Sequence, residues 1–419
     1  MKIAFIMDQF PRLTETYFLD QMTGLIRAGH EVDIIATTPS GQPKVHPDVE
    51  KFQLMARTRY MGFHTHLPAN RLHQILKATW HVLTNFHKAP LQIAKCLNAS
   101  AYDCHTLDLY LRVVYGGILF ATGKNEYDIV HCHLGGSGLM GVALRKLGIL
   151  KGKIVTTFHS ADAYVYPHRW GPEFEVYKTL WPNTDLCTVS SDYMSQKIQS
   201  LGANAATIRK LPVGLDFTKF IFKERKMGSD GMIQIATVAR LAEKKGLGYS
   251  IRAIAQVCKA SKLPIVYKIA GEGPERPQLE QLIRELGMEK QIQLLGWCAQ
   301  PEVTQLLAAS HLFVLPSVTA KDGNKEGQAL VIQEAQAVGL PLVTTIHNGI
   351  PEGLLDKISG FLVPERDVEA MADRIQFLVS HPEVWIPMGK AGRAFVEQNY
   401  DINRLNDKLL QYYGELIQK

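Results

Sequence analysis

Two doubly wound α/β domains in tandem are what this 419-residue chain predicts, on three observations. The length exceeds one ordinary core and suits two domains of roughly 200 residues each. Short apolar runs alternate with helical patterns in the first half and again in the second, the βαβ signature of parallel sheets. Between the two series, Leu211-Pro-Val-Gly-Leu-Asp-Phe-Thr-Lys-Phe220 breaks the alternation with proline and glycine. The predicted division is 1–213 and 214–400, with a long helical pattern over 401–419. Apolar content of 46% and charged content of 21% fit a globular protein rather than a disordered one.

Taken in order, residues 2–7 read as a strand, 15–28 as a helix and 31–37 as a strand. Residues 128–133, 153–158 and 186–190 are further strands, with a helix over 137–147. The segment 51–102 stands apart, because it holds no Asp or Glu but seven Lys/Arg and five His. Within it Leu72, Ile75, Leu76, Thr79, Leu83 and Phe86 recur at i, i+3, i+4 spacing, which predicts a basic amphipathic helix. Three roles fit that helix: a surface for anionic lipid, a pocket wall for a phosphorylated ligand, or a solvated helix packed on its own domain. Residues 223–230 are charged and read as a loose connection. The second series has strands at 232–238, 265–270, 292–295, 312–315 and 341–345, and helices at 247–260, 276–286 and 301–309.

The apolar run after Met1 is too short for a signal peptide, and no apolar segment approaches the ~20 residues that span a bilayer. Six scattered cysteines without a Cys-x-x-Cys pair suggest neither a zinc site nor a disulfide framework. The expected compartment is the cytoplasm, with peripheral contact on the inner face of the membrane as the alternative. A net charge of +6 is modest, and no nucleic-acid partner is expected.

The chemistry centres on Glu326-Gly-Gln-Ala-Leu-Val-Ile-Gln-Glu334, two carboxylates eight positions apart. A helix starting near Gly327 puts Glu326 at its mouth and Glu334 about 12 Å deeper on roughly the same face. The backbone of Gly327, Gln328, Ala329 and Leu330 then offers N–H groups and a positive dipole end to a diphosphate. The carboxylates can accept hydrogen bonds from sugar hydroxyls, so the pattern suits a sugar nucleotide.

This run, with its flanks Pro316-Ser-Val-Thr-Ala-Lys-Asp-Gly-Asn-Lys-Glu326 and His347-Asn-Gly-Ile-Pro-Glu352, resembles retaining glycosyltransferases of family 4. The resemblance implies a GT-B fold, two Rossmann-like domains facing a central cleft, with the tail crossing back onto the first. Two separated cations after the first strand of the second half, in Val238-Ala-Arg240-Leu-Ala-Glu-Lys-Lys245, can neutralise a departing diphosphate. They look like the family's Arg…Lys pair, implying that role for Arg240 and Lys245, with Lys244 as the neighbouring candidate. Gly271 and Gly273 in Ala270-Gly-Glu-Gly-Pro274 resemble the family's turn bordering the nucleotide pocket, and Trp297 is a candidate to border the base.

In the first half, Thr156-Thr-Phe-His159-Ser-Ala-Asp162 is similar to the family's His-Gly-x-Asp, with Ser160 replacing the glycine. This implies that His159 lies near the reacting sugar, with Asp162 on the acceptor side. His131 and His133 also end a strand; read as facing opposite sides, they argue against a shared metal site. Phe10-Pro-Arg-Leu-Thr-Glu-Thr16 departs from the Gly-Gly loop of many members and looks like the version in relatives that build bacterial exopolysaccharides. Thr14 and Thr16 are the acceptor-side candidates there. The sequence contains no Asp-x-Asp, so no metal and no other cofactor is expected beyond the nucleotide sugar as co-substrate.

The expected reaction moves a hexose, UDP-glucose type, to a sugar hydroxyl of a lipid-linked or polysaccharide acceptor, with retention of anomeric configuration. Transfer to a soluble sugar phosphate, as in sucrose-phosphate synthesis, is the alternative acceptor. A nucleotide-sugar 2-epimerase and a non-catalytic sugar-nucleotide binder are the readings from other classes.

Overall fold

In the computed structural model, residues 1–12, 16–42, 45–61, 71–103, 106–121, 125–167 and 176–418 are described. The opening apolar run is strand β1 (Lys2–Phe10), in which five consecutive residues, Ile3, Ala4, Phe5, Ile6 and Met7, are buried. Continuous rather than alternating burial is what helices on both faces of a parallel sheet demand. Ala4 and Ile6 join one apolar cluster, while Ile3, Phe5 and Met7 join another on the opposite face.

The first unit comprises Met1–Leu211 with Ile402–Lys419. Its other strands are β2 (Glu31–Pro39), β3 (Thr58–Tyr60), β4 (Glu126–His133), β5 (Lys151–Phe158), β6 (Leu186–Val189) and β7 (Ile208–Lys210). The sheet is parallel in the order β3-β2-β1-β4-β5-β6-β7. The closing helix Ile402–Gln418 belongs to this unit, with Leu405, Leu409 and Tyr413 packed into the cluster of Ile3, Phe5 and Met7. The basic helix appears at Arg71–Asn85, with Ala78 buried and Val82 packed against the core that includes helix Leu107–Ala121.

The second unit is Pro212–Asp401. Strands β8 (Ile233–Val238), β9 (Ile265–Ala270), β10 (Ile292–Gly296), β11 (Leu312–Leu315), β12 (Leu342–Thr345) and β13 (Gly360–Val363) form a parallel sheet ordered β10-β9-β8-β11-β12-β13. Both sheets therefore reverse their winding beside their first strand, between β1 and β4 and between β8 and β11. In doubly wound sheets, ligands bind outside the carboxyl ends of the strands at that switch.

Two expectations need correction. Residues 223–230 are anchored: Arg225 is 4% exposed, and its guanidinium donates to the carbonyls of Ala308 and Val338, which close two helices. Free helix-end carbonyls are natural acceptors for a cation. Strands β3, β7 and β13 have no counterpart in the sequence pattern. Each lies at an end of its sheet, and all are only three or four residues long. Among the described residues, no helix is long and apolar enough to cross a membrane.

Candidate active site

The second unit assembles its candidate groups at the carboxyl ends of β8, β9 and β11. Ala239 N donates to Ala270 O (3.0 Å) and Leu241 N to Glu272 O (2.9 Å), so Arg240 sits between two pinned neighbours. This lacing needs glycine. Gly271 has φ +146°, and a Cβ there would overlap the Ala239 carbonyl oxygen; at Gly273 a Cβ would overlap that of Leu241. The glycines thus set the close approach of the two loops. The Arg240 side chain is exposed and makes no ion pair among the described residues.

Lys244 and Lys245 end a single 3-10 turn, Glu243–Lys245. Gly246 follows at φ +61°, where a Cβ would strike the Pro316 carbonyl, and Val318 N donates to Lys244 O (2.9 Å). The turn after β8 is thereby fastened to the loop after β11. That loop delivers Glu326, 8% exposed, into an ion pair with Lys245 and to within 3.8 Å of the Lys244 ammonium. Burial alone raises the Glu326 pKa, but the two lysine charges outweigh it and hold the carboxyl at about 2. The stabilisation from this pairing is complete above the ordinary glutamate value of 4.5 and is lost as pH falls towards 2. Burial lowers the Lys244 pKa, and the neighbouring Lys245 and Arg240 charges lower it further. Three cations against the carboxylates of Glu326 and Asp322 leave a local positive excess.

The helix carrying Glu334 is Leu330–Ala337, three residues later than expected. The cause lies in the side chains of the preceding segment. Val213 N donates to Gln328 Oε1 (2.7 Å) while Gln328 Nε2 donates to Val213 O (2.9 Å). Glu326 N is also drawn away, donating to His347 Nε2 (2.9 Å). Gly327, Gln328 and Ala329 are therefore loop, and the Gln328 side chain clasps the connector. Glu334 has no side-chain partner among the described residues, and burial pushes its carboxyl up to about 7. Trp297 stands 57% exposed just beyond β10.

In the first unit, His159 follows β5 and meets His133 at the end of β4, Nε2 to Nδ1, at 3.2 Å. His131 and His133 lie on the same face, not opposite ones, since residues two apart in a strand share a side. Their rings stack at 4.4 Å. His131 continues to the Tyr413 hydroxyl and to Thr157 Oγ1, both at 2.5 Å. Burial holds the pKa of His131 at about 3 and of His159 at about 4, and burial with its two histidine neighbours lowers that of His133 too. These imidazoles are neutral at neutral pH, each with one donor and one acceptor nitrogen. Asp162 is fully buried and accepts from the backbone N–H groups of His159 (3.1 Å), Ser160 (3.0 Å) and Gly135 (3.1 Å). With both oxygens committed to these bonds, it anchors the turn that presents His159. Thr14 lies outside the described residues, as does the side chain of Thr16.

Two family models match the chain: Glycosyltransferase Family 4 over residues 14–219 and Glycosyl transferases group 1 over residues 219–395. The WcaL protein of Escherichia coli strain K12, assigned as a colanic acid biosynthesis glycosyltransferase, is 33% identical over 98% of this chain and 100% of its own. The chain belongs to glycosyltransferase family 4. A second relative of this glycosyltransferase is the amylovoran biosynthesis glycosyltransferase AmsK of Erwinia amylovora, 32% identical over 96% of each chain. Among solved structures, sucrose-phosphate synthase from Thermosynechococcus elongatus aligns over 100% of both chains with TM-score 0.70 and 18% identity. HepE from Anabaena, solved with UDP, aligns over 99% of this chain and 100% of its own with TM-score 0.69 and 17% identity. These likenesses give the glycosyltransferase the GT-B fold.

The glycosyltransferase also uses residues to which the sequence assigned no role. His347, fully buried at its side chain, accepts from Glu326 N, so its Nδ1–H donates to Glu365 Oε1 (2.6 Å). Asn348 Nδ2 donates to the Glu326 carbonyl. Together they fix the backbone of the carboxylate from behind. His133 does the same kind of work for His159. The signal available in sequence was the run His347-Asn348 itself, recognised as a flank but silent about which atoms it holds.

Proposed function

We propose that the protein is a retaining, metal-independent hexosyltransferase of exopolysaccharide assembly. It takes a hexose from a uridine-diphosphate sugar and passes it to a sugar hydroxyl of a lipid-linked or polysaccharide acceptor. The observation that carries this is the cation cluster of Arg240, Lys244 and Lys245 around Glu326 at the β8–β11 switch. Its positive excess suits a diphosphate, and preorganised cations stabilise the charge that grows on a leaving group. Glu326, ionised at neutral pH, accepts from sugar hydroxyls, and Glu334 accepts from the ribose. In the first unit, His159 is the group assigned to hydrogen-bond a sugar. The UDP in the HepE structure favours a uridine nucleotide, and the names of WcaL and AmsK favour an exopolysaccharide acceptor.

Radiolabelled UDP-sugars and GDP-mannose, each offered with undecaprenyl-diphosphate-linked saccharides, test the proposal. Label should move from a uridine donor into the lipid fraction, with the donor's anomeric configuration kept in the product and with rates unchanged by EDTA. Loss of turnover in EDTA with recovery in magnesium would remove the metal-independent part. Donor hydrolysis or epimerisation without transfer would remove the whole reading.

Glu334 adds a pH dependence. Its carboxyl titrates near 7, and a ribose hydroxyl donates better to the ionised form. Nucleotide affinity should therefore hold above pH 7 and fall below it, by up to about tenfold per pH unit. Calorimetric titration of UDP between pH 6 and 8 reads this directly, and the slope should vanish in Glu334→Gln.

A further inference from the structure

We propose that the outward face of helix Arg71–Asn85, with the adjoining helix Pro90–Leu97, docks the protein onto an anionic phospholipid bilayer. Leu76, Trp80 and Leu83 fall at i, i+4 and i+7 on one stripe and are 60%, 69% and 67% exposed. Leu91, on the next helix, is 80% exposed. The opposite face is already spent on the protein's own core, where Ala78 and Val82 pack and the His81 ring stacks on Tyr115 at 4.6 Å. This helix is therefore apolar on two sides, and only one of them has a partner among the described residues of the unit. Contiguous exposed apolar surface of this kind marks an interaction site.

Charge identifies what covers it. His73, Lys77 and Lys95 are exposed along the same two helices and Lys88 in the turn between them, and no Asp or Glu occurs between residues 51 and 102. The next acids along the chain are engaged, Asp103 with Lys146 and Asp108 with Arg112. A second copy would bring two like-charged faces together, which disfavours self-association. An anionic membrane offers the complement: headgroup phosphates for the cations and an acyl boundary for a tryptophan flanked by leucines. Lysine stems cover apolar surface while their ammonium groups reach outward to phosphate.

Co-sedimentation of the full chain with lipid vesicles tests the inference, and it needs neither donor nor acceptor. Its failure would leave the transferase reading standing. The protein should pellet with vesicles of phosphatidylcholine and phosphatidylglycerol and be largely released at about 0.5 M salt. Trp80→Ser/Leu83→Ser should weaken binding about tenfold or more, and Lys77→Glu/Lys95→Glu should do likewise. All four sites are exposed, so melting temperatures should stay near the wild-type value. If the serine variant unfolds, the charge-reversed one decides alone. No vesicle binding, equal binding to pure phosphatidylcholine, or binding that both variants leave intact would overturn the inference. Concentration-dependent dimers lost in Trp80→Ser/Leu83→Ser would also overturn it, by assigning the face to a second copy.

Discussion

Lys245→Ala is expected to lower kcat/KM by about a hundred- to thousandfold, the scale on which enzymes lose rate when one preorganised charge-stabilising group is removed. The same change should cost about 3 kcal/mol of stability, because it strands the buried Glu326 carboxylate. That figure sits at the low end for a broken buried pair, since the Lys244 ammonium remains 3.8 Å from Glu326. The two effects separate in the double variant Lys245→Ala/Glu326→Gln. Without a charge left to strand, it should recover most of the stability in chemical unfolding but none of the rate. Arg240→Ala, at an exposed position with no ion pair among the described residues, should lose rate while keeping wild-type stability. A Lys245→Ala protein that is destabilised yet fully active would reduce Lys245 to a structural partner of Glu326.

Gly271→Ala should be the most damaging change of a single methyl group in the second unit. The residue combines φ +146°, where an L-side chain is strained, with a carbonyl oxygen occupying the space of the new Cβ. Strain of this kind costs about 1–3 kcal/mol and the overlap adds to it, so a loss of about 3 kcal/mol or more is expected. The oxygen belongs to Ala239, directly before Arg240, so whatever relief the backbone finds must move that arginine. UDP binding should therefore weaken more than global stability accounts for, when measured at a temperature where the variant is still folded. Gly287→Ala is the control, with φ +67° but nothing near its Cβ position. Equal effects of the two variants on UDP affinity would show that close approach to the β8 loop does not govern the site.

Much of this architecture was legible because parallel strands buried on both faces leave continuous apolar runs. Residues 312–315 and 3–7 announce β11 and β1 for that reason. Thr58-Arg-Tyr60 and Ile208-Arg-Lys210 carry no such run, because edge strands are covered incompletely and can be polar. The late start of the Glu334 helix was hidden for another reason. Helical periodicity continues smoothly through Gln328, while the clasp between its amide and Val213 and the bond from Glu326 N to His347 divert the backbone. Likewise, nothing local in Arg225 separates a solvated cation from one that closes two helices. The charged residues of the candidate site were read from their motif; the residues behind them, His347, Asn348 and His133, hold them through contacts that spacing does not encode.

The placement of helix Ile402–Gln418 bears on the order in which the protein can be made. Ile3, Phe5 and Met7 leave the ribosome ahead of the second unit, yet the residues that cover them, Leu405, Leu409 and Tyr413, emerge only after the whole second unit has been translated. The second unit has every strand of its own sheet in hand by then. The first unit, although synthesised earlier, must hold part of β1's face open through nearly the entire time of synthesis. Its completion is a late event in the life of the nascent chain.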